Sequence, residues 1–295
     1  MPEIVHETVE ANGIKLHVAR CGDGPLILFL HGFPDYWACW RAQLEHFGAR
    51  GFCAVAPDLR GFNLSDKPAG VEQYRMKALL GDVAALGARY GSGKFVLVAH
   101  DWGGAVGWSA GIARPDLVSK LVIVNSPHPY TFWRDLCNDP AQQQASGYFL
   151  LFRQEKAERV LSENGYARLW GMIEGDWGGG GGTEREDFVA AMSQPGALTG
   201  GLNYYRATPV YPPKGEDEGA RKLSLDPRDF VVRVPTLVIW GEQDRALLPS
   251  LLDGLDAVVP DLKLVRVPGA GHWVMRQQPE LVNREIEAFL GTVSD

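Results

Sequence analysis

Short apolar segments alternate with longer amphipathic segments along most of the chain. Several of the short segments are almost continuously apolar and strongly β-prone, which is typical of strands covered on both faces. Helical patterns separate them, including those at 72–91 and 279–290. This alternation predicts a mostly parallel sheet with helices on both faces. The apolar segments are LILFL (26–30), FCAVA (52–56), FVLVA (95–99), LVIVN (121–125), TLVIW (236–240) and LKLVRV (262–267).

The first residues of the chain follow a different pattern. The segments HETVE and IKLHVAR flank the dipeptide Asn12-Gly13. Asn-Gly favours the type I′ turn, whose twist suits two antiparallel strands. The sequence therefore predicts a hairpin ahead of the parallel strands.

The alternation is interrupted between about residues 129 and 225. This stretch is rich in Trp, Tyr, Gln and Gly, and it contains five consecutive glycines at 178–182. We expect residues 129–225 to form a mainly helical cap, inserted into a core domain made of residues 1–128 and 226–295. The glycine run is expected to be a mobile loop without chemistry.

Composition and charge exclude several classes of function. The chain has 295 residues, of which 45% are hydrophobic and 22% charged, as in an ordinary globular protein. Its net charge of -7 argues against nucleic acid or an anionic membrane surface as a partner. The four cysteines are scattered, without CxxC pairs or Cys/His ligand spacing, which favours a reducing compartment.

The amino terminus and the lengths of the apolar segments indicate which cellular location to expect. The amino terminus has no signal-peptide pattern, and no segment approaches the ~20 apolar residues of a spanning helix. We expect a cytoplasmic protein that is a monomer or a homodimer and needs neither a cofactor nor a metal.

The candidate nucleophile follows the third apolar segment. VAHDWGG (98–104) has small residues two positions before and two positions after Asp101. This is the layout of a strand-turn-helix nucleophile elbow, with Asp in place of Ser. The alternative is that Asp101 simply caps the following helix. As a nucleophile, a carboxylate that is already ionised near neutral pH can attack a saturated carbon and form an ester, which water then hydrolyses.

The candidate base and its orienting acid follow the last two apolar segments. Of the seven histidines, only His272 lies after residue 128, and a loop at the carboxyl edge of the sheet suits a general base. Asp244 would fix its tautomer, and Glu242 is the rival acid. The order nucleophile, acid, histidine is that of α/β-hydrolases.

Hydrolysis of such an ester also needs donors for an oxyanion. The backbone N–H of Trp102 follows the nucleophile, and the N–H of Phe33 lies in the loop after LILFL. We expect these two groups to form the oxyanion hole. His31 and His100 are expected to organise loops rather than to react.

Five motifs together resemble the epoxide hydrolases of the α/β-hydrolase fold. The resemblance spans nearly the whole chain, although HDWGG and the three candidate reacting side chains are shared with haloalkane dehalogenases. It implies an α/β-hydrolase fold with a cap, and a small hydrophobic epoxide and water as reactants. The motifs are HGFPDYW (31–37), DLRGFNLSDKP (58–68), HDWGG (100–104), WGEQDRAL (240–247) and GAGHWV (269–274).

The resemblance also implies two tyrosines in the cap that hold the epoxide oxygen. The segments SGYF (146–149) and LNYYR (202–206) match those of the family and indicate Tyr148 and Tyr205, with Tyr204 as the neighbour that could be confused with Tyr205. With Phe33 and Trp102, these two tyrosines are the expected substrate contacts. A phenol can protonate the strongly basic alkoxide that ring opening releases.

Two other functions compete with epoxide hydrolysis. Haloalkane dehalogenases commonly carry Asn or another halide donor where this chain has Phe33, and fluoroacetate dehalogenases resemble HDRGG instead of HDWGG. The indole of Trp102 could still bind a halide, so dehalogenation is the alternative. A silent receptor on the same fold is the third hypothesis, and the complete set of reactive residues argues against it.

Overall fold

The computed structural model describes residues 2–175 and 183–291. In these ranges eight strands form one sheet in the order β1-β2-β4-β3-β5-β6-β7-β8. The glycine run at 178–182 lies outside the described residues. The strands are β1 (Val5–Ala11), β2 (Ile14–Cys21), β3 (Leu26–Leu30), β4 (Cys53–Pro57), β5 (Phe95–His100), β6 (Val118–Val124), β7 (Thr236–Gly241) and β8 (Leu262–Val267).

The predicted hairpin and parallel sheet are both confirmed. Strands β1 and β2 pair antiparallel, with Val9 opposite Leu16. Asn12 and Gly13 have φ of 51° and 80°, the positive values that a type I′ turn requires. Strand β2 also pairs antiparallel with β4, whereas β3 to β8 pair in parallel.

Helices flank the sheet and fill the long interval between β6 and β7. The four helices α1, α2, α3 and α11 contact the strands of the sheet. The six helices α4 to α9 all lie between β6 and β7. The described helices are α1 (Arg41–Gly48), α2 (Met76–Tyr90), α3 (Asp101–Ala113), α4 (Pro129–Asn138), α5 (Pro140–Ala145), α6 (Tyr148–Phe152), α7 (Ala157–Ile173, interrupted at 163–166), α8 (Glu184–Met192), α9 (Ala197–Ala207), α10 (Val274–Gln277) and α11 (Pro279–Leu290).

Burial separates the central strands from the edge. Every residue of β3, β4 and β7 is buried, as the apolar segments predicted. The same prediction was wrong for β8, in which only Val267 is fully buried and Lys263 and Arg266 are exposed. Strand β8 is the last strand of the sheet and has a neighbour on one side only, so its outer positions accept charged side chains.

Helices α6 and α9 lie over the carboxyl edge of the sheet. The backbone of Gly200 in α9 lies directly against that of Gly61 in the loop after β4. The hydroxyl of Tyr204 donates to the carbonyl of Arg60 at 3.0 Å. These contacts bring α9 above the end of β5, where the reactive residues were predicted. None of the described helices has the length and apolar character needed to cross a bilayer.

Candidate active site

A sharp turn between β5 and α3 presents Asp101. The residue has a φ of 49°, in the left-handed region that Asp tolerates better than most side chains. A Cβ on Gly103 would collide with the carbonyl oxygens of Leu30 and His31, which explains the small residue at this position. His100, not Asp101, is the N-cap residue of α3. The geometry is therefore that of an elbow, and helix capping does not account for Asp101.

Two backbone N–H groups point at the carboxylate of Asp101. The N–H of Phe33 donates to Oδ1 at 2.8 Å, and the N–H of Trp102 also donates to this carboxylate. Gly32 lies so close that a Cβ there would collide with the Asp101 side chain. The structure thus brings together the candidate nucleophile and the two expected oxyanion donors.

His272 lies between two carboxylates. Its Nδ1 is 2.6 Å from Oδ2 of Asp244, and its Nε2 is 3.7 Å from Oδ2 of Asp101. The other oxygen of Asp244 accepts the N–H groups of Ala246 and Leu247, each at 2.9 Å. These bonds fix the carboxylate of Asp244. The carboxylate in turn keeps the proton of the imidazole on Nδ1 and leaves the unprotonated Nε2 facing Asp101.

The rival acid Glu242 points elsewhere. Its carboxylate pairs with Arg266 on β8 at 3.2 Å, at a partly exposed position. Of the two acids considered from the sequence, Asp244 is the one in contact with His272.

Asn125 is a member of the site that sequence reasoning missed. Its Nδ2 donates to Oδ2 of Asp244 at 2.9 Å, and its Oδ1 accepts the N–H of Gly241 at 2.8 Å. The side chain thereby joins the ends of β6 and β7. A signal was available, because Asn125 is the only polar letter of the segment LVIVN and stands at the carboxyl end of a strand.

His31 and His100 both contact backbone groups. Nε2 of His31 accepts the N–H of Leu59 at 3.0 Å, and Nε2 of His100 donates to the carbonyl of His272 at 3.0 Å. Burial lowers the pKa of both imidazoles, that of His100 well below its usual range, so both rings are neutral at physiological pH. These contacts agree with the expected role in organising loops.

Burial and nearby charges act in opposite directions on Asp101. Desolvation raises the pKa of its carboxyl above the ordinary value, while His272 and the N–H groups of Phe33 and Trp102 lower it. Desolvation is the largest of these effects. The carboxylate consequently has less water around it than the carboxylate of an exposed Asp, and a carboxylate with less water around it reacts more readily with an electrophile.

The two tyrosines expected from the resemblance face the same space. Tyr148 in α6 and Tyr205 in α9 have ring centroids 6.0 Å apart and nearly perpendicular. The indole of Trp102 donates a hydrogen bond to the Tyr205 hydroxyl. Tyr204 points away and is bonded to the backbone of Arg60, so it is not a member of the pair.

Burial raises the pKa of both tyrosines well above the ordinary value for a phenol, and the negative charge of Asp101 acts in the same direction. Each hydroxyl therefore keeps its proton over the whole range of physiological pH. A pair of neutral phenols next to a carboxylate supplies two donors that can hold an oxygen atom of a ligand.

Two cavities meet at Asp101. One of about 320 Å³ is lined by Asp101, Tyr148, Tyr205 and His272 among others. A second of about 220 Å³ also touches Asp101 and Tyr148 and is otherwise lined mainly by apolar side chains. A ligand in this space can contact the carboxylate, the imidazole and both phenols at once.

The chain is similar to known hydrolases over almost its full length. A family model described as the alpha/beta hydrolase fold matches residues 25–279. The AB hydrolase superfamily protein YfhM of Bacillus subtilis is 37% identical over 96% of both chains. Epoxide hydrolase 3 of Xenopus tropicalis is 36% identical over 95% of this chain and 75% of its own length.

Solved structures lead to the same family. An epoxide hydrolase of Bacillus megaterium in complex with an inhibitor superposes with a TM-score of 0.88 and 33% identity, covering 97% of this chain and 100% of that one. The eight-stranded sheet agrees with this match. The protein is a hydrolase and belongs to the epoxide hydrolase family of the α/β-hydrolase fold.

Proposed function

We propose that the protein converts an epoxide and water into a vicinal diol through an alkyl ester on Asp101. The observation that carries the proposal is that Asp101, Tyr148 and Tyr205 line one cavity. Opening an epoxide needs a nucleophile on one side of a carbon–oxygen bond and an acid at the oxygen. Several relatives of the chain are named epoxide hydrolases, which supports the same reaction.

In the first half-reaction Asp101 attacks an epoxide carbon from the side opposite the carbon–oxygen bond that breaks. Oδ1 is bonded to the N–H of Phe33, so Oδ2 is the oxygen that attacks. The carbon–oxygen bond of the ring breaks and its electrons move to the epoxide oxygen. An alkoxide is about as basic as hydroxide, whose parent water has a pKa of about 15.7, so a phenol protonates it readily. Tyr148 and Tyr205 hold this oxygen, and one of them gives it a proton.

In the second half-reaction water hydrolyses the ester. Nε2 of His272 takes a proton from a water that attacks Cγ of Asp101, and Asp244 stabilises the resulting imidazolium. The charge that develops on Oδ1 is stabilised by the N–H groups of Phe33 and Trp102. The ester bond breaks and the diol leaves with the proton from His272. The carboxyl of Asp101 then releases the second proton of the water to solvent, and the tyrosine takes a proton back from solvent.

Residues 129–225 form the cap in this proposal, above a core domain of residues 1–128 and 226–295. Support comes from α6 and α9, which lie in this stretch and carry the two tyrosines. The core domain then supplies the nucleophile Asp101, the base His272 and its orienting carboxylate Asp244. The cap supplies the phenols that donate a proton to the epoxide oxygen.

The variant His272→Gln tests the covalent step. It should still be alkylated on Asp101 but should hydrolyse the ester very slowly, since no base remains. After incubation with styrene oxide, mass spectrometry of the digested protein should find the added mass of the epoxide on the peptide that carries Asp101. Glu242→Gln is the matched control, because Glu242 contacts only the surface residue Arg266 among the ion pairs of the described residues.

Two results would overturn the proposal. One is an adduct on a different peptide, or no adduct, while the wild type turns over styrene oxide. The other is release of halide from a bromoalkane at a higher kcat/KM than diol formation from the epoxide, which would favour the dehalogenase alternative.

A further inference from the structure

A buried carboxylate outside the reacting groups joins the two loops of the site. Asp35 follows Phe33 and Pro34 in the loop that carries an oxyanion donor, and its side chain is about 1% exposed. Its Oδ1 accepts from Nη2 of Arg276 at 2.8 Å and from the N–H of Tyr36 at 2.9 Å. Its Oδ2 accepts from Nε1 of Trp273 at 3.1 Å.

Both distant partners of Asp35 belong to the segment that carries the base. Trp273 follows His272 directly, and its indole ring contacts the imidazole edge to face at a centroid distance of 4.6 Å. Arg276 lies in α10, which begins two residues after His272. Asp35 therefore bonds to this segment at two points on one side of His272, and the ring of His100 holds the carbonyl of His272 itself.

We propose that Asp35 is a positioning residue that fixes the distance between the base and the oxyanion hole. His272 is not part of a helix or strand, so its position depends on contacts made by its neighbours. A loop residue without such support is displaced easily, and a displacement of about 1 Å can slow a reaction about 100-fold. The bonds of Asp35 are the stronger because the acceptor is charged and buried.

This inference rests on the proposed function and predicts which half-reaction depends on Asp35. Alkylation needs Asp101 and the tyrosines but not the base. Hydrolysis of the ester needs His272 and the N–H of Phe33 at the correct distance from each other. Loss of Asp35 should therefore slow hydrolysis far more than alkylation, and the alkyl-enzyme should accumulate.

The test is Asp35→Asn in a rapid-quench experiment with styrene oxide. The amide has almost the shape of the carboxylate, but it has only one accepting oxygen, so its NH2 group must face Trp273 or Arg276, which are both donors. We expect hydrolysis to be slowed at least about tenfold, and alkylation to stay within about threefold of the wild type. Intact-protein mass spectrometry at steady state should find a larger alkylated fraction than in the wild type.

Asp82→Asn is the matched control. Asp82 is similarly buried, and its Oδ2 accepts from Nε of Arg60 at 2.6 Å. None of the hydrogen bonds of Asp82 within the described residues reaches residues 272–276, the segment that carries the base. This variant should lower the melting temperature comparably while leaving the ratio of the two rates unchanged. If Asp35→Asn does not fold, Trp273→Phe removes one of the two contacts and should shift the ratio in the same direction, by less.

The outcomes separate the two proposals. A parallel fall of both rates in Asp35→Asn, or no change in their ratio, would mean that Asp35 is merely structural. Absence of any alkyl-enzyme, even in His272→Gln as the positive control, would instead contradict the covalent mechanism. An increased alkylated fraction with normal alkylation supports the positioning role.

Discussion

The two halves of the site are built in different ways. On the sheet side, Asp101 and Asp244 follow strand ends and accept several hydrogen bonds from backbone N–H groups and side chains. On the helical side, Tyr148 and Tyr205 are surrounded by aromatic rings. Tyr205 alone contacts the rings of Phe33, Trp102, Phe149 and Phe152 at centroid distances of 4.8–5.5 Å.

This difference indicates a division of labour between precision and adaptability. Hydrogen bonds to backbone groups have strict distance and angle requirements, so they fix a carboxylate within a narrow range. Aromatic packing is less directional and tolerates small shifts of a helix. We expect the sheet side to hold the attacking carboxylate and the base at fixed distances, and the helical side to donate to the epoxide oxygen and to set which epoxide is accommodated.

The largest effect should come from removing both phenol hydroxyls. The double variant Tyr148→Phe, Tyr205→Phe keeps the rings but leaves the alkoxide without a proton donor. We expect the alkylation rate in single-turnover experiments to fall about 10²- to 10⁴-fold, the usual contribution of acid catalysis. Each single variant should lose less, since the other phenol still donates.

Tyr204→Phe is the control for this prediction, since Tyr204 neighbours Tyr205 in α9 but bonds to the backbone of Arg60. It should alkylate at close to the wild-type rate, because the backbone contact between Gly200 and Gly61 still holds α9 over the sheet. A double variant as active as the wild type would contradict the role of the tyrosines and leave the sheet side sufficient on its own.

A smaller effect on stability and on the rate of epoxide opening is expected at the contact between Gly200 in α9 and Gly61 in the loop after β4. A Cβ on Gly200 would collide with the backbone of Gly61, so Gly200→Ala must push α9 away from the sheet. Overpacking of this kind costs about 1–3 kcal/mol of unfolding free energy. Epoxide opening should slow as well, because α9 carries Tyr205.

Gly171→Ala is the stability control for this comparison. Gly171 lies in α7, and no heavy atom of residues 2–175 or 183–291 lies within 4 Å of a Cβ placed there. Alanine favours the helix more than glycine does, so thermal unfolding should show no loss of stability. Equal destabilisation by the two substitutions would mean that the contact between Gly61 and Gly200 does not hold α9 in place.

The sheet side was largely predictable from the sequence. Each apolar segment became a strand, and Asp101, Asp244 and His272 lie beyond strand ends because parallel strands bring their carboxyl ends to one edge. The exception is β8, whose exposed charges reflect its position at the edge of the sheet. Periodicity reports local burial and does not reveal the order of the strands.

The contacts that support the reactive groups were not predictable. Asn125 and Asp244 are 119 residues apart, and Asp35 and Arg276 are 241 apart, so no local pattern connects them. The tyrosines presented a different problem. A tyrosine in a helix is usually a packing residue, and only the resemblance of the surrounding segments distinguished Tyr205 from Tyr204.

The smallest expected effect is the change in the free energy of unfolding when the buried carboxylate of Asp101 is replaced. Burial raises the pKa of Asp101 in the folded state above the ordinary value near 3.8. The folded protein therefore binds this proton more tightly than the unfolded chain does, so ionisation destabilises the fold at neutral pH, and the penalty disappears below the unfolded pKa. Asn at this position mimics the protonated form, accepts the N–H of Phe33 and tolerates the φ of 49°.

Asp101→Asn should accordingly be inactive but more stable at pH 7.5, by about 0.5–2 kcal/mol, the usual range for a stabilising substitution. The difference in melting temperature from the wild type should narrow as the pH falls toward about 4. Asp244→Asn provides the contrast, because that carboxylate accepts bonds from His272, Asn125 and two backbone groups, and its loss should destabilise the protein. If Asp101→Asn lowered the melting temperature at pH 7.5, the carboxylate would be stabilising the fold, and the sheet side would hold its nucleophile without strain.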